Sequence, residues 1–321
     1  MGANSSSLLR QFIPPKAKWS VDEIPDLTGQ VMLVTGGNSG IGRETVKVLL
    51  QHNAKIYIAG RSESKCMEVI KSLETETGRR AEFLQLDLSD LSSVKTAAEE
   101  FARRESKLNV LFNNAGVMWP PADMLTAQKI DLAFGTNTLG PFYFTKLLLP
   151  TLIATAASTG TKVRIINTAS IAGQMHPQAD GINYNTLLDG PARRKKDKVY
   201  IYGQSKLGNI IVSNELARRY ADQGIVSISL NPGNLRSELA RHETNPIVHW
   251  IVYWVVSYPV PLGALTQLWA GTMKAAEGLN GGYLLPWARV GAMPPAAADP
   301  AAGKALWTWL EEQVERFEAG N

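Results

Sequence analysis

From about Gln30 onward, short apolar runs alternate with longer stretches in which apolar residues recur every three or four positions. Runs of the first kind at residues 31–35, 56–59, 82–86, 108–112, 163–168 and 226–230 read as strands, with a last one at 282–285. Between them, helical periodicity covers residues 41–52, 62–77, 91–106, 125–134, 142–156, 202–220, 263–276 and 302–317. Such alternation marks successive βαβ units and predicts an α/β fold, one doubly wound parallel sheet of about seven strands with helices on both faces. Residues 1–29 read as a Pro- and Ser-containing arm, 30–290 as the main domain and 291–321 as a helical tail. No shift in composition justifies a second domain.

One apolar stretch departs from the alternation. Residues 247–260 carry Trp250, Tyr253 and Trp254 at spacings of three and four between Pro246 and Pro261. The stretch is shorter than the roughly 20 residues a bilayer-spanning helix needs, so it reads as part of a lid over residues 234–261, as a core helix or as a dimer contact. No transmembrane segment is expected elsewhere, and residues 8–13, interrupted by Arg10 and Gln11, are too short for a secretory signal. The opening Met1-Gly2-Ala3-Asn4-Ser5-Ser6 fits the loose template for acylation of Gly2. A single acyl chain would give weak peripheral membrane contact.

Composition narrows the picture further. With 321 residues and 45% hydrophobic content the chain can bury a large core. Its one cysteine, Cys66, excludes an intramolecular disulfide and suits a reducing, cytoplasmic setting as a packing thiol. A net charge of +4 is too mild and too scattered for nucleic acid. The exception is the basic run Arg193-Arg194-Lys195-Lys196-Asp197-Lys198, which reads as a solvated loop or as a contact for an anionic membrane or substrate. His52, His176, His242 and His249 lack the spacing and company of metal ligands, so no metal is expected.

Two patterns point to chemistry. Thr35-Gly36-Gly37-Asn38-Ser39-Gly40-Ile41-Gly42 falls between the first strand and its helix, where glycines let the backbone approach a pyrophosphate and the helix N-terminus offers free N–H groups. At the end of the second strand, where NAD-binding folds place a carboxylate, the chain reads Ala59-Gly60-Arg61-Ser62. Arg61 favours the 2′-phosphate of NADP; the alternative is a surface arginine starting the next helix, and Arg43 is a candidate helper. The second pattern is Tyr202 and Lys206, four residues apart and so on one helical face. A phenol titrates near pH ~10, and a neighbouring ammonium is what brings it toward neutral-pH proton exchange.

Together with Asp87-Leu88, Asn113-Asn114-Ala115-Gly116, Asn137, Ser170 and Asn231-Pro232-Gly233, these motifs stand in the order of the short-chain dehydrogenase/reductase family, which the chain resembles over residues 30–283. The resemblance implies a Rossmann-type fold and a tetrad in which Tyr202 is the acid/base, Lys206 lowers its pKa and holds the nicotinamide ribose, Ser170 binds the substrate oxygen and Asn137 positions a water. For Asn137 the other reading is a helix-interior Asn that caps or kinks, and for Ser170 a turn serine. It also implies that Asp87 meets the adenine, that Asn114 to Gly116 line the cofactor floor, that Pro232, Gly233 and Leu235 bind the cofactor, and that Ser237 holds its carboxamide end. The 32 residues separating Ser170 from Tyr202 include an insertion similar to that of the retinol dehydrogenase and WW-domain oxidoreductase branch and of fungal enzymes of lipophilic secondary metabolism. The expectation is therefore an NADP(H)-dependent oxidoreductase acting on a lipophilic carbonyl or alcohol, a homodimer or a monomer, with Trp119, His176, Trp250, Tyr253 and Trp254 as substrate-contact candidates. The alternatives are a non-enzymatic NADP-binding sensor or scaffold and an epimerase or dehydratase of the extended type.

Overall fold

The computed structural model describes residues 5–121, 123–176, 181–235 and 257–320. After a short helix α1 (Ser5–Phe12), the main domain is built on strands β1 (Val31–Thr35), β2 (Lys55–Gly60), β3 (Glu82–Gln85), β4 (Val110–Asn113), β5 (Val163–Thr168), β6 (Ile225–Leu230), β7 (Tyr283–Leu285) and β8 (Arg289–Gly291). They form a sheet in the order β3-β2-β1-β4-β5-β6-β7-β8, parallel throughout except that β8 runs antiparallel to β7. The expected count of about seven strands is thus corrected to eight. The extra one is a three-residue edge strand that turns back immediately after β7, too short to show a period of its own.

Every residue of β1, β4, β5 and β6 is buried, as befits parallel strands covered on both faces. Alternate side chains enter different cores. Val31 and Leu33 pack toward α4 (Leu91–Arg104), α5 (Leu132–Thr159), α8 (Lys198–Tyr220) and α11 (Pro300–Glu318), whereas Met32 and Val34 pack toward α2 (Gly40–Gln51), α3 (Glu63–Thr77) and α9 (Val260–Thr272). Helix α5 is long and apolar enough to cross a bilayer, but 67% of its most apolar window is buried inside the domain, and it is a core helix. The C-terminal helix α11, preceded by the short helix α10 (Pro295–Ala298), joins the same core through Trp307, edge-on against Phe142, and through Lys146–Glu311 and Tyr143–Glu318 contacts.

The helix expected over residues 125–134 starts only at Leu132. Before it, Thr126 N–H donates to the Ile130 carbonyl and Lys129 takes a positive φ of 62°, so the segment folds back on itself and Leu125 bridges Asp131. Its apolar residues face the core at a turn, which imitates helical spacing. This turn receives the insertion between β5 and α8. Ile130 bridges Leu188, Asp131 N–H donates to the Leu187 carbonyl at 2.8 Å, and Gln204 holds both Asn183 N–H and Thr186 Oγ1 at 2.9 Å. Within the insertion lie the short helices α6 (Ile171–Gln174) and α7 (Pro191–Arg194).

The basic run is not simply a solvated loop. Arg193 is 3% exposed; its Nε donates to Asp131 Oδ2 at 2.8 Å and its Nη2 to the Met124 carbonyl at 2.8 Å. Burial pushes the Asp131 carboxyl up, against the Phe134 N–H and Arg193, which both favour its charge. Arg194 pairs with exposed Asp189, and Lys196 and Lys198 lie over the rings of Tyr200 and Trp119. Helix α8 begins at Lys198, earlier than the expected residue 202, because the Asp197 side chain caps Tyr200 N–H. Removing one partner of a buried ion pair strands the other charge, so Arg193→Ala should lower unfolding stability by about 3–5 kcal/mol in urea titration. Arg194→Ala should leave the midpoint unchanged.

Candidate active site

Strand order reverses between β1 and β4, and the predicted site residues follow the carboxyl ends of the strands on either side, where open α/β sheets bind ligands. After β1, Gly36 has φ +65°, and a Cβ on it would sit 3.1 Å from Ala115 Cα. Gly42, in the first turn of α2, is more constrained, because its Cβ would lie 2.3 Å from the Gly36 carbonyl oxygen. Only glycine allows that turn to close. Gly40 completes it with φ +50°; Ser39 is the N-cap of α2, and its hydroxyl makes no capping bond, leaving that helix end open for an anion.

Thr35 Oγ1 ties the first loop to the fourth. It accepts from the N–H groups of Asn114 and Ala115, each at 3.0 Å, while Asn114 Nδ2 donates to the Thr35 carbonyl at 2.8 Å. Asn38 reaches the end of β2, where a Cβ on Gly60 would be 3.4 Å from its Oδ1. Beyond Gly60, Arg61 is exposed, and among the described residues its guanidinium makes no ion pair. Arg43, the candidate helper, is instead engaged by Glu76 and Ser72. After β3, Asp87 Oδ1 accepts from Ser89 N–H and Oγ at 2.9 and 2.6 Å, and Leu88 is pinned by Gly140, whose Cβ would fall 2.3 Å from the Leu88 carbonyl oxygen. The glycine cradle, the open helix end and the unpaired Arg61 together fit a phosphorylated dinucleotide.

The proposed tetrad comes together in the interior. Tyr202 is 5% exposed, Lys206 3% and Asn137 1%. The Ser170 hydroxyl hydrogen-bonds Tyr202, and burial pushes the phenol up to about 12 against that bond. Lys206 Nζ lies 6.0 Å from the Tyr202 ring centre and donates to the Thr168 carbonyl at 3.0 Å; burial pushes its ammonium down to about 8. A Cβ on Gly116 would sit 3.0 Å from Asn137 Oδ1 and 3.2 Å from Lys206 Nζ, so the loop after β4 meets both side chains. Asn137 lies in a π-helical segment of α5, Gly135–Leu139, a local widening frequent at functional sites. Its Oδ1 accepts from Val117 N–H at 2.8 Å, and its Nδ2 donates to the Val117 carbonyl at 3.0 Å and to Ser205 Oγ at 2.9 Å.

Several positioning residues escaped the sequence reading. Gly173 of α6 presses on α8, where its Cβ would be 2.7 Å from Lys206 C and Leu207 N; a Cβ on Gly203 would be 3.0 Å from the Ala172 carbonyl, and one on Gly208 3.0 Å from Thr138. Glycines inside a helix were the available signal, since they disfavour it unless packing requires them. The Thr168 carbonyl, which also accepts from Asn209 Nδ2 at 3.2 Å, had none.

Of the substrate candidates, His176 stacks on Tyr200 with ring centres 4.6 Å apart and touches the face of α8 at Gly203; burial, reinforced by Lys196, lowers its imidazole to about 4, so it is neutral near pH 7. Trp119 has a positive φ of 53° under Lys198, beside a cleft lined by Pro120, Pro121 and Ile201. Gly233 has φ +90°, which favours glycine, with a Cβ there in ordinary contact with Pro286 at 3.4 Å, and Leu235 packs with Ile41 against Gly263 of α9. Gly2, Ser237, Trp250, Tyr253 and Trp254, with most of the expected lid, lie outside the described residues. Among the described residues no cluster of metal-ligating side chains forms.

A family model described as short chain dehydrogenase matches residues 30–186. A short-chain dehydrogenase/reductase of Armillaria gallica is 52% identical over 98% of this chain and 99% of its own length, and one of Phomopsis amygdali is 39% identical over 96% of each. A crystal structure from Mycobacterium paratuberculosis, 27% identical, superposes with a TM-score of 0.72 over 93% of this chain and 98% of that one. The Pseudomonas aeruginosa RhlG/NADP active-site complex, 24% identical, shares the fold at a TM-score of 0.63, covering 81% and 95% of the two chains. The chain belongs to the short-chain dehydrogenase/reductase family. Gly173→Ala should drive α6 off α8, lowering stability by about 1–3 kcal/mol in urea unfolding and reducing turnover more than cofactor affinity.

Proposed function

We propose that this protein is an NADP(H)-dependent oxidoreductase that interconverts a carbonyl and an alcohol on a lipophilic small molecule. The observation that carries this reading is the meeting of Tyr202, Lys206 and Asn137 in the interior, behind the loop that bears Gly116, with the half-buried Ser170 hydroxyl lowering the Tyr202 phenol. When bound, the dinucleotide supplies or accepts the hydride. Thr35, Gly36, Asn38, Ser39, Gly40, Ile41 and Gly42 would hold its pyrophosphate end, Arg61 its 2′-phosphate, Asp87 and Leu88 its adenine, and Asn114 to Gly116 with Pro232, Gly233 and Leu235 the remainder.

In the reducing direction the Tyr202 phenol gives its proton to the substrate oxygen, and the Ser170 hydroxyl donates a hydrogen bond to that oxygen. A phenol near 12 remains far more acidic than the alcohol formed when an alkoxide takes up its proton, so the transfer runs downhill even without further activation. Lys206, with an ammonium near 8, is charged at neutral pH yet close enough to titration to return a proton toward the phenol. Asn137 donates both side-chain N–H groups, to Val117 and Ser205, and accepts from Val117 N–H, so its side chain is held in place and only its Oδ1 has acceptor capacity left for a water. For the lipophilic substrate class the support is limited to Pro120, Pro121 and Ile201, in a cleft beside the helix bearing Tyr202 that Lys196, Lys198 and the Asp131–Arg193 pair also line.

Two substitutions test the reading. Tyr202→Phe should cut kcat by about 10²–10⁴-fold in NADPH-consumption assays on lipophilic aldehydes and ketones, with NADPH binding retained. Undiminished turnover would remove Tyr202 from the mechanism. Arg61→Glu should lower kcat/KM for NADPH by about tenfold or more while leaving NADH use unchanged. Equal loss with both cofactors would remove Arg61 from 2′-phosphate recognition.

A further inference from the structure

The loops that follow β5 and β6 carry Ser170 and the Asn231-Pro232-Gly233 turn, and one residue of the N-terminal helix joins them. Gln11 of α1 is 1% exposed. Its Nε2 donates to Gln174 Oε1 at 2.6 Å, and its Oε1 accepts from Asn231 Nδ2 at 3.0 Å. Gln174 closes α6, the helix that Ser170 caps, and its own Nε2 donates to the Ala292 carbonyl at 3.2 Å. Asn231, 2% exposed, receives Gly233 N–H on Oδ1 at 3.0 Å and donates its own N–H to the Leu284 carbonyl at 2.8 Å. A continuous run of side-chain amides thus leads from Ala292, just past β8, through Gln174, Gln11 and Asn231 to the backbone of Gly233. Arg289 Nη2 holds the same helix by donating to the Arg10 carbonyl at 3.0 Å.

A buried primary amide is tolerated only when its donors and acceptor are satisfied, and here the two partners lie on different loops of the site. We propose that Gln11 is a positioning residue and that α1 is a clasp. By bonding both loops at once, it holds α6, and with it Ser170, in register with the Asn231–Gly233 turn assigned to cofactor binding. The N-terminal arm is then part of the active-site architecture, although it lies outside the matched family segment at residues 30–186. The consequence for catalysis rests on the function proposed above; the clasp itself is a statement about two loops and can be measured without turnover.

Gln11→Met keeps the length of the side chain and removes both hydrogen bonds. Hydrogen–deuterium exchange on the full chain should then accelerate at residues 171–174 and 231–233 and nowhere else in the sheet, with the melting temperature little changed. NADPH affinity and kcat should each fall by about three- to tenfold. Gln11→Glu retains the acceptor for Asn231 but loses the donor to Gln174, so it should restore protection and NADPH affinity at residues 231–233 while leaving residues 171–174 and kcat impaired. Unchanged exchange in both segments, or acceleration spread evenly through the chain with a matching fall in melting temperature, would overturn the clasp. If the wild type bound no NADPH, the functional reading would fail, and the exchange pattern would still decide for or against Gln11.

Discussion

The close approach of α6 to α8 is the contact on which the geometry of the candidate site depends. Two glycines permit it: Gly173 faces the backbone of Lys206 and Leu207, and Gly203 faces the Ala172 carbonyl. With no Cβ at either place, the helix capped by Ser170 comes within hydrogen-bonding distance of the helix carrying Tyr202. A third glycine, Gly208, lets α8 settle on the π-helical segment that displays Asn137. Backbone-to-backbone packing of this kind is stiff, because neither side has a rotamer through which to relax.

Burial then sets the electrostatics. Phenol and ammonium are both taken out of water, which favours the neutral form of each and moves their pKa values apart, the phenol upward and the ammonium downward. The Thr168 carbonyl offsets part of that cost for Lys206, and the Ser170 hydroxyl does so for the Tyr202 phenolate. The proposed chemistry and the packing share the same atoms here. The insertion between β5 and α8 adds a further layer, anchored by a buried Arg193–Asp131 pair and not by apolar contacts alone.

Much of the site was legible along the chain. The glycine turn, Arg61 and the Tyr202–Lys206 spacing mark themselves as candidates because phosphate approach, 2′-phosphate recognition and proton transfer would each demand particular residue types at fixed local separations. Asn137, Ser170 and Asn231 gained meaning only from their order relative to those motifs. What escaped was set by partners remote in sequence: Arg193 reads as one charge in a basic run until Asp131, on the far side of α5 in the chain, is seen to receive it. The helical reading of residues 125–134 failed for a related reason, since burial at a tight turn gives the same apolar spacing as a helix face.

By itself, then, the sequence determined the doubly wound α/β topology, the location of the dinucleotide cradle and the identity of the titrating pair, because these follow from periodicity and from chemistry that acts over a few residues. Only the tertiary structure decided that the phenol is bonded to Ser170, that Asn137 has spent both amide N–H groups on Val117 and Ser205, that an eighth strand closes the sheet edge, and that Gln11 bridges two loops. Each of these depends on atoms brought together from distant parts of the chain, where the deciding quantities are the space left by a missing Cβ and the need of every buried polar group for a partner.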